Sequence, residues 1–332
     1  MKKSLARWLQ DAWYTEMYIS SVFMPLSMLY VDAMRLRRFL YRIGLLKSGR
    51  LPAPVIIVGN ITVGGTGKTP LVIWLADFLS RQGFKPGVIS RGYGGAEQQA
   101  QAVTTQSDPA LVGDEALVLA RRCGCPVTVG VDRLAAGRAL LANNHCDVII
   151  SDDGLQHLAL QRDVEIVVID GDRRFGNGYC LPVGPLREPP ERIKTVDLVV
   201  VNGGQDLQEH EFPMHCQGNE LVNLLTGETK PLAEFNNIAC HAVAAIGNPS
   251  RFFKSLSAAG LLCVEHAFPD HHVFTAADIQ FKDQKPVLMT EKDAVKCRRF
   301  AEAKHWYLPV TTALPEAFSK QILILLKHKN HG

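Results

Sequence analysis

The chain has 332 residues, of which 47% are hydrophobic and 21% are charged. These proportions are typical of globular proteins and exclude an intrinsically disordered chain. The 36 basic and 33 acidic residues leave a formal net charge of +3, which is too small to indicate a nucleic-acid partner. The length predicts more than one domain.

Residues 1–50 combine hydrophobic and basic character. The apolar stretch from about Met17 to Val31 is shorter than the roughly 20 residues that a membrane-spanning helix needs. Beyond it, one helical face carries Arg35, Arg38 and Arg42, and another carries Leu36, Phe39, Ile43 and Leu46. This pattern predicts a helix that lies on a membrane surface. A helix pair packed on the protein's own core, or a cleaved signal peptide, are the alternatives.

Two α/β units follow, with predicted boundaries at 51–205 and 206–332. In the first unit, strands are predicted at 55–58, 88–90, 127–129, 148–153, 165–170 and 198–202, and helices at 70–82, after Glu115 and at 132–143. This alternation predicts a parallel sheet with helices on both faces. The second unit opens with polar loops. It continues with predicted strands at 242–246, 262–266, 286–290 and 306–310 and predicted helices at 249–259 and 317–327.

Eight cysteines are scattered through both units, and no two of them form a C-x-x-C pair. A zinc ribbon or a thioredoxin-like redox site therefore finds no support. Dispersed cysteines of this kind predict reduced thiols in a cytosolic protein.

A glycine-rich loop connects the first predicted strand to the first predicted helix of the α/β region. Its residues are Thr62, Val63, Gly64, Gly65, Thr66, Gly67, Lys68 and Thr69. Backbone N–H groups of such a loop surround phosphate oxygens, and the helix N-terminus adds positive potential. We therefore predict that this segment binds ATP, with Lys68 at the β- and γ-phosphates and Thr69 at Mg²⁺. Thr62 stands where the standard pattern has glycine, and the doubled glycine that follows is similar to the loop of partitioning ATPases.

Asp152 and Asp153 end the most hydrophobic strand after this loop. In P-loop proteins an acid at this position usually holds Mg²⁺, so both residues are predicted metal ligands. A solvated turn is the alternative interpretation of two adjacent acids.

Two missing motifs exclude classes of P-loop protein. A GTPase needs an N/T-K-x-D motif, and in the nearest match, Thr290 to Asp293, the lysine is displaced by one place. Partitioning ATPases carry a lysine where this chain has Val63. A kinase and an ATPase switch without a lipid acceptor remain.

Six ordered motifs identify a family. They are Val58 to Pro70, Ser90 to Gly95, Gly113 to Glu115, Asp152 to His157, Arg173 to Gly178 and Met289 to Lys296. Together they resemble the tetraacyldisaccharide 4′-kinase (lipid A 4′-kinase) family. The resemblance implies Mg²⁺-dependent transfer of the γ-phosphate of ATP to the 4′-hydroxyl of a tetraacyl glucosamine disaccharide 1-phosphate, which gives lipid IVA. It implies two α/β lobes and a monotopic enzyme on the cytoplasmic face of the bacterial inner membrane. The sequence leaves the oligomeric state open, and we favour a monomer.

The resemblance also implies site residues. It makes Asp114 the general base and pairs it with His271 from the second lobe, whereas a helix N-cap is the ordinary role of an aspartate at this position. Candidate substrate contacts are Arg91, Tyr93, Glu115, Arg173 and Arg174. For these arginines and the tyrosine, a glycine turn or solvated side chains are the alternative. His157 is a candidate for orienting the site, and a surface histidine is the plainer interpretation.

Overall fold

A computed structural model of the chain describes residues 13–14, 23–92 and 99–329. Two sheets organise this part of the chain. The first has the strand order β15-β8-β7-β6-β1-β5-β2-β4-β3. The strands are β1 (Val55–Gly59), β2 (Pro86–Ser90), β3 (Gln101–Val103), β4 (Val127–Val129), β5 (Val148–Asp152), β6 (Val164–Asp170), β7 (Leu198–Asn202), β8 (Glu211–Gln217) and β15 (Thr311–Ala313).

Neighbouring strands from β8 to β4 run parallel, and only the outer pairs β15–β8 and β3–β4 are antiparallel. The helices beside this sheet are α2 (Lys68–Arg81), α3 (Pro109–Val112), α4 (Asp114–Arg122), α5 (Arg133–Asn143) and α9 (Glu316–Lys329). Two hydrophobic clusters cover opposite faces of β1, one around Ile56 and Val58 and the other around Val55 and Ile57. Since both faces are covered, every residue of β1 is buried, as the uninterrupted apolar run Val55 to Val58 predicts.

The second sheet has the order β10-β9-β14-β13-β11-β12. Its strands are β9 (Glu220–Asn223), β10 (Thr229–Pro231), β11 (Ala239–Ala244), β12 (Leu262–Ala267), β13 (Val287–Thr290) and β14 (His305–Leu308). Its helices are α6 (Pro249–Ala258), α7 (Ala276–Ile279) and α8 (Glu291–Cys297). Short 3₁₀ turns at Pro190–Thr195, Leu232–Phe235 and Arg298–Phe300 complete the described elements. The predicted α/β class with a parallel first sheet and a second, smaller α/β lobe is confirmed.

The polar segment after residue 205, predicted as loops, instead contains three strands. One of them, β8, extends the first sheet by pairing with β7. Its side chains alternate along the strand: Phe212, Met214 and Cys216 are apolar, whereas Glu211, His215 and Gln217 are polar, and Met214 is fully buried. Pro213 interrupts this period-2 pattern and argues against a strand within a sheet, so the pairing with β7 decides the conformation. Because β8, β15 and α9 pack with the first lobe, both sheets draw on residues after 205. The boundary at 205 stays a prediction.

The N-terminal segment contributes helix α1 (Met24–Arg42). One side of it contacts the first lobe, where Ser27 Oγ donates to the Cys180 carbonyl at 2.8 Å and Tyr30 Oη donates to the Arg187 carbonyl at 2.9 Å. Arg38 also belongs to this side, because its guanidinium lies 2.7 Å from the carboxylate of buried Glu188. The expectation that Arg38 shares a lipid-facing stripe with Arg35 and Arg42 is therefore wrong. Within the described residues, no helix is both long enough and apolar enough to cross a membrane.

Candidate active site

The glycine-rich loop adopts the conformation that a phosphate-binding loop needs. Gly64 and Gly67 have φ angles of 107° and 99°, a region that side chains other than glycine seldom enter. The loop is held by two amide side chains. Asn60 Nδ2 donates to the Gly64 carbonyl at 3.3 Å, and Asn202 Nδ2 donates to the Thr66 carbonyl at 3.0 Å. A Cβ on Gly67 would lie 2.3 Å from Asn202 Nδ2, so only glycine fits beside this strut.

Asp153 lies between two cations at the carboxyl end of β5. Lys68 Nζ is 3.4 Å from Asp153 Oδ1, and Arg187 Nη1 is 3.1 Å from the same oxygen. Burial alone would raise the pKa of Asp153, but Lys68 and Arg187 outweigh burial and hold this pKa well below its usual range. The carboxylate is therefore ionised at neutral pH beside the start of α2.

Asp152 lies behind Asp153 and is 1% exposed. Burial, followed by the negative charges of Glu115 and Asp153, raises the pKa of Asp152 to about 7. Its Oδ2 accepts from Ser90 Oγ at 3.3 Å, while its Oδ1 is buried with no hydrogen-bond partner. An unpaired carboxylate oxygen of this kind suits a metal ion that is bound through its water ligands, as Mg²⁺ usually is. Thr69 and Asp153 line the same cavity and supply the oxygen donors that Mg²⁺ prefers.

The second lobe brings His271 to the first lobe. Its Nδ1 lies 3.4 Å from Asp114 Oδ2, although 157 residues separate the two. Asp114 is 5% exposed and stands at the start of α4. Burial would raise the pKa of Asp114, but the hydrogen bond from His271 and the charges of Lys292 and Lys296 lower it overall. Asp114 makes no side-chain cap to α4 beyond its contact with the next N–H, that of Glu115, at 2.8 Å.

One cavity of about 880 Å³ is lined by residues of both lobes. The phosphate loop from Val63 to Thr69 lines one part of it, and His271 and Lys292 of the second lobe line another. Tyr30, Met34 and Arg37 of helix α1 extend the lining toward the N-terminal segment. Asp114 lines a neighbouring cavity of about 440 Å³ that shares His271. His271 therefore lies between the two cavities, with Asp114 on the side of the smaller one.

Some of the residues predicted to contact substrate line the larger cavity, and others do not. Arg91 and Glu115 line the larger cavity, and Tyr93 falls outside the described residues. Arg173 donates to the carbonyl of Gly247 at 2.9 Å, and Gly247 packs against the phosphate loop. Arg174 instead forms a two-bond ion pair with Glu211 at 2.7 and 3.0 Å, so its position gives no support to the predicted substrate role.

Two other candidates lie just outside the cavity. Thr62 is buried and bridges to Leu186, so the lining begins at Val63. His157 Nε2 accepts from the backbone N–H of Arg133 at 3.4 Å. Burial, then the charge of Arg133, lowers the pKa of His157 to about 4, which keeps the ring neutral at pH 7.

Sequence analysis did not single out Arg187 or Asn202. Arg187 comes from an irregular segment with no motif spacing that indicates its approach to Asp153. Asn202 ends β7, and carboxyl ends of parallel strands meet at the edge where ligands bind. Its position at the end of β7 is therefore the sequence signal that identifies Asn202 as a candidate site residue. Its Nδ2 donates to the Thr66 carbonyl of the phosphate loop at 3.0 Å.

Comparison with known proteins identifies the family to which the chain belongs. The family model "LpxK: Tetraacyldisaccharide-1-P 4′-kinase" matches residues 19–327. A tetraacyldisaccharide 4′-kinase of Nitrosococcus oceani is 54% identical over 316 residues, covering 95% of this chain and 93% of that protein. One from Methylobacillus flagellatus is 47% identical, covering 98% of each chain.

The crystal structure of LpxK from Aquifex aeolicus in complex with ATP is similar in fold, with a TM-score of 0.78 and 29% sequence identity. The similarity covers 92% of this chain and 99% of that one. Since the family model spans nearly the whole chain and the relatives match end to end, the protein belongs to the tetraacyldisaccharide-1-phosphate 4′-kinase family.

Proposed function

We propose that the cavity between the lobes is where the γ-phosphoryl group of ATP passes to the 4′-hydroxyl of a tetraacyl glucosamine disaccharide 1-phosphate, forming lipid IVA. Family membership makes the protein an ATP-dependent lipid-sugar kinase. The observation that carries the site assignment is the lining of one cavity by both the phosphate loop and His271, whose ring contacts Asp114.

In the proposed reaction, Asp114 assisted by His271 accepts the proton of the 4′-hydroxyl. The hydroxyl oxygen forms a bond to the γ-phosphorus as the bond between that phosphorus and the β–γ bridging oxygen breaks, and ADP leaves with the bridging oxygen. The sugar hydroxyl is a poor nucleophile, so a positioned carboxylate contributes most as the new bond forms. The contact of 3.4 Å between His271 Nδ1 and Asp114 Oδ2 supports a shared role.

Phosphate and metal are assigned to the other side of the cavity. The loop N–H groups and Lys68 hold the β- and γ-phosphates, and Thr69 and Asp153 hold Mg²⁺ with Asp152 behind them. When bound, Mg²⁺ neutralises charge on the β- and γ-phosphates. Arg187 orients Asp153 through its 3.1 Å contact. Arg91 and Glu115 remain proposed substrate contacts because both line the cavity.

Helix α1 is proposed to keep the enzyme on the cytoplasmic face of the inner membrane, as a monomer that lies on the bilayer. Large apolar side chains of this segment are exposed, among them Leu29 at 67% and Leu36, Phe39 and Ile43 at 55–56%. A tetraacylated acceptor stays in the bilayer, so a helix that binds the surface brings the cavity to it. Residues 1–50, 51–205 and 206–332 are the proposed membrane segment, kinase core and second lobe.

The central test replaces Asp114 with asparagine and follows ADP release with and without the acylated disaccharide. We expect Asp114→Asn to reduce kcat by about 10²- to 10⁴-fold with little change in the KM for ATP, because general-base help is typically of that size. His271→Ala should act in the same direction, and the double variant should lose no more than the worse single variant, since the two act as one unit.

A neighbouring pair provides the control. His272 and Asp278 also lie close, at 3.3 Å, but Asp278 caps α7 rather than facing Asp114. Asp278→Asn should keep kcat and lose only stability. If Asp114→Asn likewise lost only about 1 kcal/mol of stability, the helix-cap role would replace the base. ADP release of equal rate without acceptor would indicate an ATPase switch.

A further inference from the structure

Helix α8 places two lysines of the second lobe against two consecutive carboxylates of the first. Lys292 Nζ lies 2.8 Å from Glu115 Oε1, and Lys296 Nζ lies 3.7 Å from Asp114 Oδ2. The side chains of Asp114, Lys292 and Lys296 are largely buried, at 6%, 17% and 13% exposed, and that of Glu115 is 31% exposed. We call Lys292, Lys296, Asp114 and Glu115 the lysine clamp.

The spacing of the clamp follows from helix geometry. Lys292 and Lys296 are four residues apart, so they project from one face of α8. Asp114 and Glu115 open α4, where negative side chains are favoured by the helix dipole. Asp293, between the lysines in sequence, is fully buried and accepts from the backbone N–H of Ala245 at 3.0 Å. This bond fixes α8 to the end of β11, so the lysines project from a rigid base.

Each lysine is also held from its own lobe. Lys292 Nζ lies 3.3 Å from Asp270 Oδ1, next to His271 in sequence. Lys296 Nζ lies 2.9 Å from Asp293 Oδ1 and 5.0 Å from the centre of the Phe274 ring. Lys292 therefore contacts the residue before His271, and Lys296 contacts the ring of Phe274, three residues after it. A long, flexible lysine held at two or three points loses the freedom that would make a surface ion pair weak.

We propose that Lys292 and Lys296 are positioning residues that lock Asp114 and Glu115 against His271 and so join the two lobes in the reactive arrangement. The proposal deepens the proposed function and rests on Asp114 acting as the base. Neither lysine needs to touch the transferred phosphoryl group in this role. The clamp gives the Met289 to Lys296 motif a task in catalysis: it holds the base of one lobe from the other.

The charges around Asp114 predict a pH signature. The groups that face it are His271 and Lys296 at 3.4 and 3.7 Å, Lys292 through its electrostatic effect, and the adjoining acids Glu115, Asp270 and Asp293. Removing a nearby positive charge favours the protonated form of the Asp114 carboxyl. The acidic limb of kcat should therefore move to higher pH when Lys296 loses its charge.

The test compares Lys296→Met, Lys296→Arg and Lys304→Met in the full-length enzyme with ATP and the acylated disaccharide. Lys304 is the matched control, because it is 12% exposed and lies in the same lobe, and within the described part of the chain its Nζ contacts the carbonyls of Phe281 and Asp283 and the carboxylate of Glu302. We expect Lys296→Met to raise the acidic limb by roughly one pH unit, to lower kcat at pH 6 more than at pH 8, and to leave the KM for ATP nearly unchanged. Lys296→Arg should restore most of kcat.

An acidic limb that stayed in place for Lys296→Met, with the same loss of stability as Lys304→Met, would overturn the clamp. A second measurement separates this result from failure of the proposed base. If Asp114→Asn retained full kcat, the base assignment would be wrong, and the clamp would be judged by thermal unfolding alone. The double variant Lys296→Met with Asp114→Asn should then lose less midpoint temperature than the two single losses added together. Fully additive losses would reject the ion pair.

Discussion

Lys68 and Arg187 reach Asp153 from different parts of the chain, one from the start of α2 and the other from the segment after β6. At this scale neighbouring cations hold the pKa of Asp153 below its usual range. His271, Lys292 and Lys296 likewise lower the pKa of Asp114. Charged side chains with fixed partners need little rearrangement when charge moves during phosphoryl transfer, which is the main source of catalysis in such sites.

Replacing Lys68 with methionine tests this idea at one residue. We expect Lys68→Met to lower kcat by roughly 100-fold or more, because one preorganised positive group at the transferred phosphoryl is lost. Folding should survive, since Asp153 keeps its contact with Arg187. Steady-state kinetics at saturating ATP and a thermal unfolding curve measure the two effects. The exposed Lys85→Met variant is the control, and near-normal turnover of Lys68→Met would refute the loop assignment.

At the scale of the element, helix α1 divides its side chains between protein and surroundings. Ser27, Tyr30 and Arg38 hold it to the first lobe. Leu29, Leu36 and Ile43 recur every seven residues and are 56–67% exposed, which places them on one face. A row of exposed large apolar side chains on a helix that is docked by its other face is typical of a membrane-contacting surface.

The triple change Leu29→Ser, Leu36→Ser and Ile43→Ser should therefore weaken binding to anionic vesicles by at least about tenfold, since each buried aliphatic side chain contributes about 1.5–3 kcal/mol. Vesicle sedimentation measures this loss. The KM for the lipid acceptor should rise more than the KM for ATP. As a control, Leu225→Ser with Leu262→Ser removes side chains that are 57% and 60% exposed on the second lobe. Equal loss of vesicle binding in both variants would contradict the role of α1.

At the scale of the whole molecule, two of the places where the described parts of the lobes meet contain buried carboxylates. One is the lysine clamp, and the other centres on Asp170 at the end of β6. Its carboxylate accepts from Arg251 Nη2 at 2.6 Å and Asn248 Nδ2 at 3.1 Å, both from the second lobe. Arg251 also donates to the carbonyl of Asn202, the residue that holds the phosphate loop. The lobe junction and the loop therefore share one hydrogen-bonded network.

Arg251→Met should destabilise the protein by roughly 1–3 kcal/mol, because it leaves a buried carboxylate with one charged partner fewer. Thermal unfolding should show the loss as a lower midpoint, and Arg251→Lys should recover part of it. The KM for ATP should also rise, because Asn202 loses a contact on its carbonyl. Lys254→Met, an exposed position on the same helix, is the matched control. An unchanged midpoint for Arg251→Met would mean that the network contributes nothing to the junction.

Local sequence pattern was sufficient to predict those elements whose backbone conformation and burial are determined by a few neighbouring residues. The apolar run of β1, the glycines before Lys68 and the acids that end β5 each carry a signal within a few residues, because backbone conformation and burial of both faces restrict those positions directly. The motifs that resemble the kinase family added the pairing of Asp114 with His271, which no local spacing indicates.

Tertiary structure alone decided where distant charges meet and which side of a helix is covered. Arg38 belongs to a basic helical stripe in the sequence, yet packing of α1 turns it toward Glu188. Arg173 and Arg174 belong to the same sequence motif. Arg173 contacts Gly247, which packs against the phosphate loop, whereas Arg174 pairs with Glu211. Strand β8 contains Pro213, which argues against a strand within a sheet, yet it forms because β7 offers an edge for pairing. These outcomes depend on contacts between residues far apart in sequence, and their free energy exists only after the lobes have packed.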